Sequence, residues 1–162
     1  MSTRRAYVVK ETAISAIINI LIGAAFFIAL FHGQTRVGLW GIGGIVIDCL
    51  PQGFMIGLMS VLPPSLITRS RIRKGLIEGN EGDVGSILLR GLISAGASMI
   101  GLCAVAATLA FVSGATNIPF AAALAVKSLS GGVIALLLTP RALSKLLAPA
   151  AATDWAPPRA ER

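Results

Sequence analysis

Charge is scarce in this chain. Only 13% of its 162 residues are Asp, Glu, Lys or Arg, about half of what a soluble domain carries. Histidine occurs once, at His32, and cysteine twice, at Cys49 and Cys103. One histidine at a predicted helix end, with no second ligand at metal spacing, gives no basis for a metal or haem centre. The cysteines form no Cys-x-x-Cys and both fall in apolar runs, so a dithiol redox role lacks its second thiol. They read as small buried hydrophobes. There is no Ser/His/Asp grouping, no pair of carboxylates within one apolar run and no phosphate-binding loop. These absences predict a chain that is not an enzyme and takes no cofactor or metal.

What the sequence does have is hydrocarbon. Apolar residues make up 55% of the chain, and the mean hydropathy is +0.82. The apolar residues fall into four blocks of about 20 residues, each long enough to cross a hydrocarbon core of roughly 30 Å. The fold class expected is therefore an all-α membrane protein with four transmembrane helices. The predicted spans are 12–31, 42–62, 91–112 and 120–138, in a transmembrane domain of 12–147. A short N-terminus (1–11) precedes it, and an Ala/Pro-rich tail (148–162) with the composition of a disordered segment follows. The second span should stop at Pro63-Pro64, because successive prolines lack the donors a helix needs. The glycines at 75, 79, 82 and 85 argue against a helix between the second and third spans. Trp40 suits an interfacial ring in the short loop after the first span.

The formal charge is +7, yet its distribution argues for a membrane rather than nucleic acid as partner. Twelve of the 14 basic residues lie in the N-terminus, the middle loop and the C-terminal flank; Arg36 and Lys127 are the exceptions. That asymmetry predicts both termini on the cytoplasmic side of a bacterial inner membrane, and no single basic stripe of the nucleic-acid kind forms. Arg4-Arg5 faintly echoes a twin-arginine export signal, but the following run lacks a cleavage site and precedes three more spans. A retained first helix is expected.

Sliding the chain by 79 residues lays the first helix pair over the second. Ile14-Ser15-Ala16 falls on Ile93-Ser94-Ala95, and Leu50, Gly53 and Leu58 fall on Leu129, Gly132 and Leu137. In the same register Glu11 lies over Arg90 and Asp48 over Lys127, opposite charges at equal depth. Two helical-hairpin repeats of parallel orientation would produce this pattern.

Few polar side chains lie within the spans. Asp48 and Lys127 each sit about 9 Å in from a helix end by helical rise, where an unpaired charge is costly. A pair between the second and fourth helices is the expectation, serving either as a register-fixing ion pair or as a proton or ion site. Lys127 has a third option, extending toward headgroups. Pro51 should kink the second helix beside Asp48 and free the Ile47 carbonyl, and with Gln52 this resembles the broken helices that hold ions in transporters. Asn19 suits a hydrogen bond between helices. Gly53 and Gly57 form a GxxxG, and Ala97 and Gly101 a looser small-xxx-small, both permitting close helix approach within one chain or between subunits. Arg69, Arg71, Arg73 and Lys74 can hold lipid headgroups, which is also how an ordinary cytoplasmic loop reads.

The run Ile47-Asp48-Cys49-Leu50-Pro51-Gln52-Gly53-Phe54-Met55-Ile56-Gly57-Leu58-Met59-Ser60, continuing through Pro63-Pro64 to Thr68-Arg69, resembles small bacterial inner-membrane proteins of domain-of-unknown-function type. Thr139-Pro140-Arg141 is similar to the Pro-then-basic close of two-helix units in such families. The resemblance implies topology and no catalytic residue. Two functions stay open: a non-enzymatic interaction or assembly protein, acting with itself or a membrane partner, and a small oligomeric transporter or channel centred on Asp48 and Lys127.

Overall fold

The computed structural model describes residues 3–148. The tail expected to be disordered lies, beyond residue 148, outside the described residues. Four long helices run in the order α1 (Thr3–Phe31), α2 (Ile45–Arg73), α3 (Val84–Ser113) and α4 (Phe120–Leu146). All four are long and apolar enough to cross a membrane, as a multi-pass membrane protein requires. Two short strands, β1 (Arg36–Gly38) and β2 (Asn117–Pro119), pair antiparallel between the helices, with Gly38 opposite Asn117. They cap one end of the bundle. The other end carries the basic segment and the 74–83 loop.

Every helix overruns its predicted span at the basic end. α1 begins nine residues before Thr12 because nothing from Thr3 to Lys10 breaks a helix. α2 passes through Pro63-Pro64 and through the basic run to Arg73, which corrects the expected stop. Pro64 removes the donor that would meet the Ser60 carbonyl, and Thr139 of α4 donates its hydroxyl to that oxygen at 2.8 Å. The acceptor freed by Pro64 is satisfied by a neighbouring helix, so this proline does not end α2. α4 likewise continues past Pro140, since Leu143 and Leu146 bury against the bundle. At the strand end α2 starts at Ile45 rather than Ile42, because Gly41 and Gly43 hold φ of +84° and +80°, outside helical geometry. Gly85 belongs to α3, which Asp83 caps by accepting from the Ser86 amide.

Chain neighbours are not the main packing partners. α1 lies along α4, α2 along α3, and α2 meets α4 between them, while contact within each predicted hairpin is slight. Two contacts twelve residues apart, Asp48 with Lys127 and Ser60 with Thr139, set α2 and α4 parallel. α3 is peripheral: 11% of its most apolar window is buried, against 33–44% in the other helices.

Burial runs opposite to a water-soluble bundle. Ile17, Leu21, Phe26, Ile100 and Leu109 are exposed, whereas Glu11, Asn19, Ser60, Lys127 and Thr139 are buried. Hydrocarbon outside and polar groups inside is the distribution a bilayer favours, because lipid offers no partner to a polar side chain. The apolar core is concentrated at the strand end, where Phe27 stacks near Phe31 and Phe120 at centroid distances of 4.7 and 5.3 Å and Val37 is fully buried.

Candidate functional site

The interior polar groups form a column shared by α1, α2 and α4. On α2 they recur four or eight residues apart, at Asp48, Gln52, Ser60 and Thr68, which places them along one ridge of the helix. On α1 the matching positions are Glu11, Ser15 and Asn19, and on α4 Lys127, Ser128 and Thr139.

Nearest the strand end, Lys127 Nζ lies 2.6 Å from Asp48 Oδ2, with side-chain exposures of 3% and 16%. The ammonium is also 3.6 Å from Cys49 Sγ. It points into the bundle, so the reading in which Lys127 reaches for headgroups is corrected: the carboxylate is within its grasp and compensates its charge. One turn further, Gln52 Nε2 donates to the Lys127 carbonyl at 3.1 Å, an oxygen that also accepts from Ser130 Oγ at 2.7 Å. Gln52 Oε1 and Ser128 Oγ are buried with no hydrogen-bond partner among the described residues. Gly23 of α1 faces this layer, where a Cβ would stand 3.5 Å from Gln52 Nε2. Pro51, by contrast, is exposed on the outer surface of an unbroken helix. It frees the Ile47 carbonyl away from the pair, and a broken-helix ion site at Pro51 does not form.

In the middle of the column Asn19 Nδ2 donates to the Ser15 carbonyl at 2.8 Å and approaches Ser60 Oγ at 3.5 Å. Thr139 Oγ1 lies 3.1 Å from Ser15 Oγ while donating to Ser60 O. At the basic end Arg71 donates to Glu11 Oε1 at 2.8 Å and to Tyr7 Oη at 3.1 Å, and Tyr7 Oη meets Thr68 Oγ1 at 2.9 Å.

The column brings together Asp48, Lys127, Gln52 and Asn19 of the residues singled out in the sequence. Gly53 and Gly57 lie elsewhere, against α3: a Cβ on Gly57 would stand 2.6 Å from the Ser94 carbonyl oxygen. Ala97 and Gly101 are exposed, Gly101 with nothing within 4 Å of an added Cβ. Arg69 donates to the Gly82 carbonyl at 3.1 Å, and Arg73 is 4.0 Å from Glu81. With Arg71 held by Glu11, three of the four basic residues proposed for headgroups have protein partners, and Lys74 is exposed. Glu11 thus meets Arg71 and not Arg90, its partner in the 79-residue register. Sequence reasoning missed Tyr7, Ser15, Ser60, Thr68, Ser128 and Thr139. Hydroxyls are ordinary in apolar helices, and only their recurrence on one ridge marks them out.

Chemically, the column offers a compensated ion pair and a chain of hydroxyl and amide groups. Among the described residues no three of His, Cys, Asp and Glu cluster as metal ligands would.

The Thr139 contact yields a direct test. Thr139→Val leaves the Ser60 carbonyl unpaired and should cost about 1–2 kcal/mol. In a Pro64→Ala background the restored amide serves that carbonyl, and the same substitution should cost under about 0.5 kcal/mol. Unfolding of detergent-solubilised protein in a four-member cycle measures both; equal costs in the two backgrounds would refute the assignment.

No protein-family model, curated protein or solved structure matches this chain.

Proposed function

We propose that the chain is a non-enzymatic protein of a bacterial inner membrane, with both termini cytoplasmic, that works by associating with a second copy or another membrane protein. It would belong with the two-helix-unit proteins that its second span resembles. The observation that carries this reading is the outer surface of α3, where Ala97 and Gly101 form an exposed small-residue row that no other helix among the described residues covers. Small residues let a second helix come close enough for dispersion contacts to hold it in lipid. The basic end, with Arg4, Arg5, Arg69, Arg73 and Arg141 around it, sits on the cytoplasmic side in this scheme.

A duplication of one hairpin is part of the proposal. Around a two-fold axis along the bundle, equivalent residues near the axis meet one another. The 79-residue offset pairs Gly38 with Asn117 in the strands, Asp48 with Lys127 and Ser60 with Thr139. Away from the axis the contacts repeat: Gly53 abuts Met99 of α3 as Gly132 abuts Ile20 of α1. Two identical hairpins would set like charges face to face at the Asp48 level. Fusion into one chain permits an acid on one side and a base on the other. Fragments 1–80 and 81–162, co-expressed, should reassemble into a detergent-stable complex; fragments that remain separate when both are inserted would count against the two-unit design.

The transporter reading has one specific observation in its favour, the unpartnered Gln52 Oε1 and Ser128 Oγ next to the ion pair. Such atoms suit water or an ion. In-cell photo-crosslinking decides between the two. A crosslinker at Gly101 should capture a protein adduct, while one at the exposed Leu21 of α1 should capture lipid. No adduct at Gly101, together with cation or proton flux in liposomes that Asp48→Asn abolishes, would overturn the association reading in favour of transport.

A further inference from the structure

At the basic end a groove of about 590 Å³ opens between the start of α1 and the end of α4. Arg4, Arg5 and Arg141 line it together with Val8, Val9 and Pro140, and among the described residues no carboxylate does. Among the described residues none of these three arginines forms an ion pair, in contrast to Arg71 and Arg73 of α2. Arg141 spends one Nη on the Leu137 carbonyl, at 2.6 Å, which orients its guanidinium and leaves its other donors available.

We propose that this groove binds an anionic phospholipid, its phosphate held by the three guanidinium groups and its glycerol and the roots of its acyl chains against Val8, Val9 and Pro140. The depth agrees. Arg141 follows the apolar run of α4 by three residues, roughly 5 Å of helical rise, while Arg5 and Arg4 precede that of α1 by seven and eight, roughly 10–12 Å. The headgroup layer outside the hydrocarbon core is about 5–7 Å thick, so Arg141 stands within it, and Arg4 and Arg5 stand just beyond it, from where their long side chains reach back to phosphate level. Guanidinium groups bind phosphate through two parallel hydrogen bonds, and three of them facing one groove favour a lipid with two phosphates, such as diphosphatidylglycerol. A free phosphate would leave the apolar side of the groove uncovered, whereas a lipid brings hydrocarbon to it. The site is distinct from Arg69, Arg71, Arg73 and Lys74, most of which are engaged within the protein.

The inference rests on the membrane orientation proposed above, and the two can fail separately. Resistance of the native chain to alkaline carbonate extraction, with a cytoplasmic reporter after Arg162, tests orientation. Native mass spectrometry of full-length protein released from phosphatidylcholine nanodiscs doped with diphosphatidylglycerol tests the site. One diphosphatidylglycerol should be retained in preference to phosphatidylcholine. Arg4→Gln/Arg5→Gln/Arg141→Gln should weaken retention roughly a hundredfold, three basic contacts at ordinary interfacial strength. The charge-conserving Arg4→Lys/Arg5→Lys/Arg141→Lys, which preserves insertion signals, should weaken it about tenfold by losing the bidentate geometry. A control of equal charge loss, Lys10→Gln/Arg73→Gln/Lys74→Gln, should change it less than about threefold. Equal losses in both Gln triples would reduce the effect to general surface charge and overturn the proposal. Displacement of the lipid by millimolar inorganic phosphate would overturn it in favour of a free-anion site.

Discussion

Lys127→Met should destabilise the solubilised protein by about 3 kcal/mol, and Asp48→Leu by a similar amount, because either change strands one charge of a buried pair. Lys127 Nζ and Asp48 Oδ2 stand 2.6 Å apart with 3% and 16% of their side chains exposed, and Cys49 Sγ is a poor substitute partner at 3.6 Å. Exchanging the two charges, Asp48→Lys with Lys127→Asp, should recover most of the loss. The informative variant is the double apolar replacement, Asp48→Leu with Lys127→Met. Removing both charges removes both desolvation penalties, and buried pairs replaced by apolar groups of similar volume are often neutral or stabilising. A stable double variant that keeps its crosslinked partner would identify the pair as a device for setting α2 against α4. A stable double variant that loses a measured ion flux would identify it as a transport site. Single variants with wild-type stability would contradict the packing described above, since they would mean that neither charge depends on the other. The readout is unfolding in denaturing detergent, followed by gel filtration.

How far the sequence alone carries is clearest at Pro63-Pro64 and at the strand pair. Hydropathy and basic flanks locate four apolar helices, because a bilayer imposes one length and one polarity rule on every span. The end of α2 is different. Whether a helix survives two prolines depends on who receives the freed carbonyl, and that donor, Thr139, comes from a helix 79 positions away in the chain. Likewise, nothing local marks Arg36-Val37-Gly38 as a strand. It pairs only because 117–119 is brought alongside. The spatial order of the helices, α1 beside α4 and α2 beside α3, is also illegible from span positions, since short connections suggest the opposite pairing. The column was legible at its charged pair and its two amides, Gln52 and Asn19, but not at its hydroxyls. Asp48 and Lys127 stand out against hydrocarbon, whereas Ser15, Ser60 and Thr139 satisfy one another and the backbone as unremarkable hydroxyls. Arg71 reads as a loop cation until α2 is seen to extend far enough for it to meet Glu11 of α1.

The same geometry predicts opposite fates for two rows of small residues. At Gly53 and Gly57 the nearest atoms that a Cβ would meet are backbone: the Ser98 carbonyl oxygen at 2.7 Å and the Met99 Cα at 2.8 Å, the Ser94 carbonyl oxygen at 2.6 Å and the Ala95 Cα at 2.8 Å, the last joined by Ser98 Oγ at 2.8 Å. A side chain can swing aside, but a helix backbone has to move as a whole. Gly57→Ala should therefore cost about 2–3 kcal/mol, the upper range for overpacking, and Gly57→Leu should pry α3 off α2. Lipid supplies no hydrophobic force to push the helices back together, since packing itself is what holds them. Gly101→Leu faces open space within 4 Å and should leave unfolding within about 0.5 kcal/mol of wild type, while abolishing any adduct formed through the outer face of α3. Docking of α3 can be followed by the native Cys103, whose sulfur lies 3.5 Å from the Val46 carbonyl oxygen. In a Cys49→Ala background, Val46→Cys should form a disulfide with Cys103 readily, and Gly57→Leu should suppress it whereas Gly101→Leu should not. If Gly57→Leu crosslinked as fast as its parent, the close contact of the two backbones would not be what joins α2 to α3. If Gly101→Leu unfolded as easily as Gly57→Leu, the outer row would be part of the fold itself and no longer a surface for association.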